Sequence, residues 1–229
     1  MDLFTVKTTA KAVRRREVML RVSSIVAIIA ILLLLLFYFL IYLANSLGDF
    51  TVKITEDSEE RYFSLSESPL FENPTTMLHA DILDSMDNIT ESWIDENVDQ
   101  IDGPHNGKNY IAYTFYVKNT SSKTIDYNVE IVIDAVEKAA DEAIRVKVYK
   151  NGESTVYAKV QKDSVLPEPN TTPFYSSRLV MSQTEEDFTA GEVHKYTVVV
   201  WLEGNDPECI DNIKGGKVKL TMNFTANKE

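Results

Sequence analysis

Cysteine is all but missing. Cys209 is the sole one in 229 residues, which excludes an internal disulfide and the clustered thiolates of zinc modules. Positive charge is scarce as well: 23 Lys and Arg stand against 35 Asp and Glu, a net charge of -12. A nucleic-acid binder needs the opposite balance, because it must displace counterions from phosphates. Only three histidines occur, His79, His105 and His194, and none lies in an H-E-x-x-H pattern. G-x-S-x-G, P-loop and G-x-G-x-x-G patterns are absent too, so the usual sequence supports of hydrolases and nucleotide enzymes are missing. There is no repeat at solenoid period and no low-complexity linker. What the chain does have is 44% hydrophobic residues, enough for a packed core.

Much of that hydrophobicity sits in one place. Ile25 to Ala44 reads IVAIIAILLLLLFYFLIYLA, a run without a charge and of the length that crosses a bilayer's hydrocarbon core, about 20 residues. Each central Leu, Ile, Val or Phe contributes roughly -0.3 to -0.6 kcal/mol to insertion, so the run is expected to enter the membrane with Ile25, Leu33, Phe37 and Leu40 facing lipid. Lys7, Lys11, Arg14, Arg15, Arg16 and Arg21 precede it, while Asp49, Glu56, Asp57, Glu59 and Glu60 follow. The positive-inside rule then predicts a basic cytoplasmic tail over 1–21, a single-pass signal-anchor over 22–47 and an extracellular domain over 48–229. A cleaved signal peptide is the competing reading, but its apolar region is typically about 7–15 residues. Met1 to Arg21 hold 6 of the 23 basic and 2 of the 35 acidic residues, which leaves the remainder at 17 against 33, a charge of -16. Such a surface repels anionic lipid and attracts cations or basic partners.

The exported part is written in β grammar. Tyr110 to Lys118 carries apolar side chains on both faces, as a central strand does. Ile125 to Ile133 alternates, and His194 to Leu202 reads as another inner strand. Asn151-Gly152, between Ile144–Tyr149 and Thr155–Lys159, is the best hairpin turn in the chain. Only Ala135 to Ala143 reads as helical, an exposed crossover, with a further helical turn around Ala80 to Met86. The spacing predicts an antiparallel β-sandwich of immunoglobulin-like architecture, though the Cys-Trp-Cys spacing of that fold is absent. Lys217 to Thr225 is two-faced, with Val218, Leu220, Met222 and Phe224 pointing one way. An unpaired ladder there would accept a partner strand, which makes these four residues the expected partner-binding set and allows self-association.

Two acidic clusters look most like chemistry. Asp95, Glu96, Asp99 and Asp102 lead into Gly103-Pro104-His105-Asn106-Gly107, and Asp206, Glu208 and Asp211 crowd the loop after Trp201. Carboxylates grouped on turns suit Ca²⁺, which takes six to eight oxygens in irregular geometry; in so acidic a domain they also arise as solvated loops. Cys209 reads as a small, partly buried residue, with an intermolecular bridge as the sharper alternative.

The stretch KYTVVVWLEGNDPECIDNIKGGKVKLTMNF, Lys195 to Phe224, together with DGPHNGKNYIAYTFYVKNT, Asp102 to Thr120, resembles exported Gram-positive proteins of the TasA and camelysin type and their membrane-anchored relatives in Firmicutes. The resemblance implies a jelly-roll-like sandwich at the cell surface and, for some members, assembly into matrix fibres by strand donation. The long anchor departs from the short cleavable signal usual in that group. The expectation is a noncatalytic, membrane-anchored surface protein whose acidic sandwich engages an envelope or matrix component. The camelysin likeness implies a metal-dependent surface peptidase as one alternative; a tethered accessory subunit of a membrane complex is the other.

Overall fold

The structure, a computed structural model, describes residues 10–46, 50–55 and 62–227, with helix side chains for 14–16 and 18–39. It divides into two compact units at Leu47/Gly48. The first holds one helix, α1 (Ala10–Ser46), of 37 residues, about 55 Å at 1.5 Å rise per residue. Within it Arg14–Phe39 is long and apolar enough to cross a membrane. Every large apolar side chain from Val18 to Phe39 is exposed, Ile25, Leu33 and Phe37 among them. The Arg14–Arg16 cluster is part of the same helix, which begins well before the expected start at 22. The side chain of Leu40 and the acidic stretch 56–61 lie outside the described residues.

The second unit is mainly β. Its strands are β1 (Phe50–Ile54), β2 (Phe63–Ser66), β3 (Met77–His79), β4 (Gly103–Pro104), β5 (Tyr110–Asn119), β6 (Ile125–Val136), β7 (Ile144–Lys150), β8 (Glu153–Ala158), β9 (Thr172–Pro173), β10 (Leu179–Phe188), β11 (Val193–Leu202) and β12 (Val218–Ala226). They form a five-stranded sheet, β10-β6-β12-β1-β3, and a seven-stranded sheet, β2-β5-β11-β7-β8-β9 with β4 also pairing β5. Alternation along β6 and β12 turns Tyr127, Val129, Ile131, Ile133, Leu220, Met222 and Phe224 inward; there they meet Phe115, Val117, Val146, Tyr196 and Val198 of the other sheet. Phe224 packs edge-on against Phe115 and Tyr196, with centroids 6.0 and 5.3 Å apart, the geometry aromatic quadrupoles favour.

The outward face of the seven-stranded sheet is also dry. Ala112, Val199 and Trp201 are covered there by Ile89, Ile94 and Val98, the last two at or between the short 3₁₀ turns Glu91–Trp93 and Val98–Gln100. This second cluster explains why β5 and β11 are apolar on both sides. The Asn151-Gly152 hairpin forms as expected, with φ of 51° and 91°, the positive values a two-residue primed turn demands.

Four expectations are corrected. Residues 135–143 form no α-helix: β6 continues to Val136, and the crossover to the other sheet turns through left-handed Lys138 and Ala139 into a 3₁₀ turn, Ala140–Glu142. Ala140 and Ala143 are buried, and a Cβ on neighbouring Gly216 would fall 2.7 Å from the Glu137 carbonyl oxygen. Close packing of this crossover against the loop at Ile213 and Gly216 overrides alanine's helix propensity. Ala80–Met86 makes no helical turn either; Ala80 N–H donates to the Phe50 carbonyl at 3.0 Å, tying the segment to β1. The sheets are not wholly antiparallel, since β1 runs parallel to β12 and β9 to β8. Finally, β12 is no edge strand. It is hydrogen-bonded to β6 on one side and β1 on the other, and Leu220, Met222 and Phe224 are core residues with Val218 packed against them. A strand paired on both sides has no ladder left to offer.

Truncating Phe224 to Ala should cost about 3–5 kcal/mol, the usual range for a buried aromatic, whereas Lys217→Ala on the exposed side should stay within about 0.5 kcal/mol; chemical denaturation reads both. His194 supplies a pH prediction. Its ring lies 2.7 Å from the Tyr127 hydroxyl and 3.1 Å from Glu192 Oε1. Burial, then nearby Lys150, holds its pKa below the usual 6.5, against the pull of Glu192 and Glu185. As pH falls through 6.5 the unfolded chain takes the proton first, so stability is lost below that value. The melting temperature of His194→Gln should therefore fall less than that of the wild type between pH 7.5 and 5.5.

Candidate functional site

Strand alternation delivers the site. Because Ile144, Val146 and Val148 of β7 enter the main core, Arg145, Lys147 and Tyr149 must point to the opposite face. There they line a cleft of about 1140 Å³, walled by segment 90–96, by the loop bearing Glu168 and by the loop bearing Glu203 and Glu208. Trp201 and Val156 contribute its apolar floor.

Arg145 is the buried centre, only 4% exposed. Its Nη2 lies 2.7 Å from Asp206 Oδ2 and 3.6 Å from Glu168 Oε2, and Nη1 donates to the Ile144 carbonyl at 3.2 Å. Asp206 Oδ2 nevertheless has no directed hydrogen bond. The short distance is the better guide to the energetics, since Coulomb attraction does not depend on the N–H direction. Asp206 Oδ1 accepts the Glu208 backbone N–H at 2.8 Å. The turn at Asp206-Pro207-Glu208 thus places a second carboxylate beside the first.

Glu168, Asp206 and Glu208 bring carboxylate oxygens within 4.8 Å of one another, which among the described residues is the group with metal-ligand spacing. Burial, then Asp206, raises the Glu168 pKa, with Arg145 opposing; the Asp206 side chain, then burial, raises that of Glu208. Three carboxylates facing one guanidinium leave the locus negative. It could hold a hard divalent cation by three oxygens, with further ligands still required, although Arg145 already stands where such a cation's charge would act.

The sequence clusters assemble only in part. Asp206 and Glu208 do come together, but Asp211 is exposed and pairs with Lys214 at 2.8 Å. Asp95, Asp99 and Asp102 form no common ligand group: Asp95 accepts the Asn97 N–H, the Asp99 carbonyl meets Lys195 Nζ, and Asp102 accepts the Tyr116 hydroxyl at 2.5 Å. Glu168 was missed, since it stands between Pro167 and Pro169 in a loop nearly forty residues from Asp206. Arg145, Lys147 and Tyr149 lie within the expected strand Ile144–Tyr149, but nothing in the sequence says what covers them.

Each histidine is held by protein atoms elsewhere: His79 by Thr51 Oγ1 at 3.3 Å, His105 by the Gly103 and Val98 carbonyls at 2.7 Å each, and His194 as described. Cys209 is half-buried and free; burial, then Asp206 and Glu203, pushes its thiol pKa up, disfavouring the reactive thiolate.

No family model and no curated protein matches the chain. Among solved structures it is similar to β-glucosidase from Kluyveromyces marxianus in complex with glucose, at 13% identity and a TM-score of 0.28 over 55% of this chain and 12% of that one. It is similar also to the Se-Met labelled form of that enzyme, at 13% identity and a TM-score of 0.24 over 70% and 16%. The chain thus matches only a small part of either, and likeness at this level carries neither fold nor activity across.

Replacing Arg145 with Met should destabilise the protein by about 3–5 kcal/mol, the cost of stranding buried charge. Burial and Asp206 raise the Glu168 pKa while Arg145 opposes the rise, so without Arg145 that carboxyl takes up its proton at higher pH still, and the stranded charge is relieved as pH falls. The variant's deficit should therefore be smaller at pH 5 than at pH 8 in matched unfolding titrations.

Proposed function

We propose that this chain is a noncatalytic, membrane-anchored surface protein: α1 spans the bilayer once with its basic end in the cytoplasm, and the acidic β unit works outside as an adhesive module toward envelope or matrix components. The observation that carries this reading is α1 itself, apolar around its whole circumference from Ile25 to Phe39 with its large apolar side chains exposed. A soluble protein has no use for such a surface. The arginines at its N-terminal end and the charge of -16 on the remainder support the orientation. Two facing sheets around one core fit the jelly-roll-like architecture of the TasA and camelysin type, and the resemblance in Asp102–Thr120 and Lys195–Phe224 adds the Gram-positive surface as the setting. Calcium at Glu168, Asp206 and Glu208 belongs to the same reading as an optional stabiliser of the module.

The test is fractionation of cells expressing the full chain with a C-terminal tag. The wild type should stay in the membrane pellet after alkaline carbonate, and external protease should remove the tag from intact cells. Leu33→Arg with Leu36→Arg, at roughly 2.5–3.5 kcal/mol per arginine at mid-span, should release the protein. A wild-type chain found in the carbonate supernatant would sink the proposal, and a protected tag would overturn the orientation.

A further inference from the structure

The cleft over β7 already solves one recognition problem twice. Lys147 Nζ is held 2.8 Å from Glu91 Oε1 and 4.9 Å from the centroid of Tyr149, a carboxylate and an aromatic face acting together on an ammonium. Arg145 is held by Asp206 and Glu168, a carboxylate pair acting on a guanidinium. The wall nevertheless carries more acid than these cations consume: six carboxylates, counting Glu91 through Glu208, against Arg145, Lys147 and Lys162. Glu203 is engaged by the Trp201 indole N–H at 3.0 Å and the Asn205 N–H at 3.1 Å. Asp95, Glu96 and Glu208 have no ion-pair partner among the described residues. Asp206 itself does not line the cleft and is spent on Arg145, its Oδ2 lying 2.7 Å from Nη2. These carboxylates come from two separate segments on the wall of one concavity, which itself has an apolar floor for the stems of long side chains.

We infer that this cleft docks a basic peptide segment, a stretch of a partner protein presenting Lys or Arg side chains to Asp95, Glu96 and Glu208. The inference rests on the surface-module reading and gives it a site and a ligand chemistry. Charge complementarity selects the occupant: an acidic or neutral strand would leave the spare carboxylates facing one another, and a nucleic acid would be repelled.

The probe is a fluorescent heptapeptide of alternating Lys and Gly, measured by anisotropy against the full-length protein in neutral detergent at 150 mM NaCl, with the Ser-for-Lys peptide as reference. The wild type should bind the Lys peptide at least tenfold tighter than the Ser peptide. The triple variant Asp95→Asn, Glu96→Gln, Glu208→Gln should lose about tenfold in affinity, whereas Glu72→Gln, Glu186→Gln, Asp187→Asn, which removes the same charge from exposed sites away from the cleft wall, should lose less than threefold. Both triples are checked for unchanged melting temperature; should the cleft triple melt early, the single variant Glu96→Lys at an exposed rim position replaces it, with the same loss expected. Equal losses in the two triples would show a diffuse field and overturn the cleft as a site. Absence of wild-type binding to the Lys peptide would overturn it also, as would calorimetric calcium binding abolished by the cleft triple without any peptide binding. Membrane fractionation is independent of these charges, so failure of the anchor reading and failure of this one are told apart.

Discussion

The seven-stranded sheet must be kept dry on both faces, and most of the second unit follows from that need. β5 and β11 carry Ile111, Tyr113, Phe115, Tyr196 and Val198 toward the other sheet and Ala112, Val199 and Trp201 away from it. One layer of β-structure can cover only the first set. The second is covered by chain that is neither helix nor sheet, the segment around Ile89, Ile94 and Val98, which must satisfy its own backbone through 3₁₀ turns and strand-like contacts such as Ile89 N–H to the Leu202 carbonyl at 2.9 Å. Where that cover ends, β7 turns its outward side chains into a concavity. The cleft is thus the border of a hydrophobic repair, and its walls are irregular loops on a rigid floor, the usual place for recognition.

The electrostatics of that border have a consistent logic. Arg145, buried there, faces more carboxylate than it needs, and the excess is accommodated by raised proton affinity at Glu168 and Glu208. Asp206, wholly buried, cannot shed its charge into water and depends on Arg145. Arg145 therefore holds two loops distant in sequence, those of Glu168 and Asp206, against the end of one strand. Buried pairs of this kind add little net stability but strongly disfavour arrangements that break them, which suits a fixed recognition surface.

How much of this was legible in the sequence depends on the range of the interaction. The strands at Tyr110, Ile125, His194 and Lys217 and the Asn151-Gly152 turn were readable because side-chain alternation and positive-φ tolerance are local. The crossover at Ala135–Ala143 was misread because Ala140 and Ala143 are buried and the loop at Gly216 packs closely on them, a contact that helix propensity does not register. The place of β12 was misread because its polar outer face resembles that of an edge strand; only the parallel return of β1 from far earlier in the chain makes it central. For the site, proximity in sequence was the wrong guide. It joined Asp211 to Asp206 and omitted Glu168, whereas the fold does the reverse.

The parallel pairing of β1 with β12 carries a mechanical consequence. Phe50 lies beside Leu220 and Ile54 beside Phe224, so the start of β1 and the end of β12 are at opposite ends of one ladder. Tension applied between the chain preceding Phe50 and the chain following Ala226 would load those hydrogen bonds together, in shear, in place of peeling them one at a time. Pulled from those two ends, the β unit would resist coming apart by virtue of this single register.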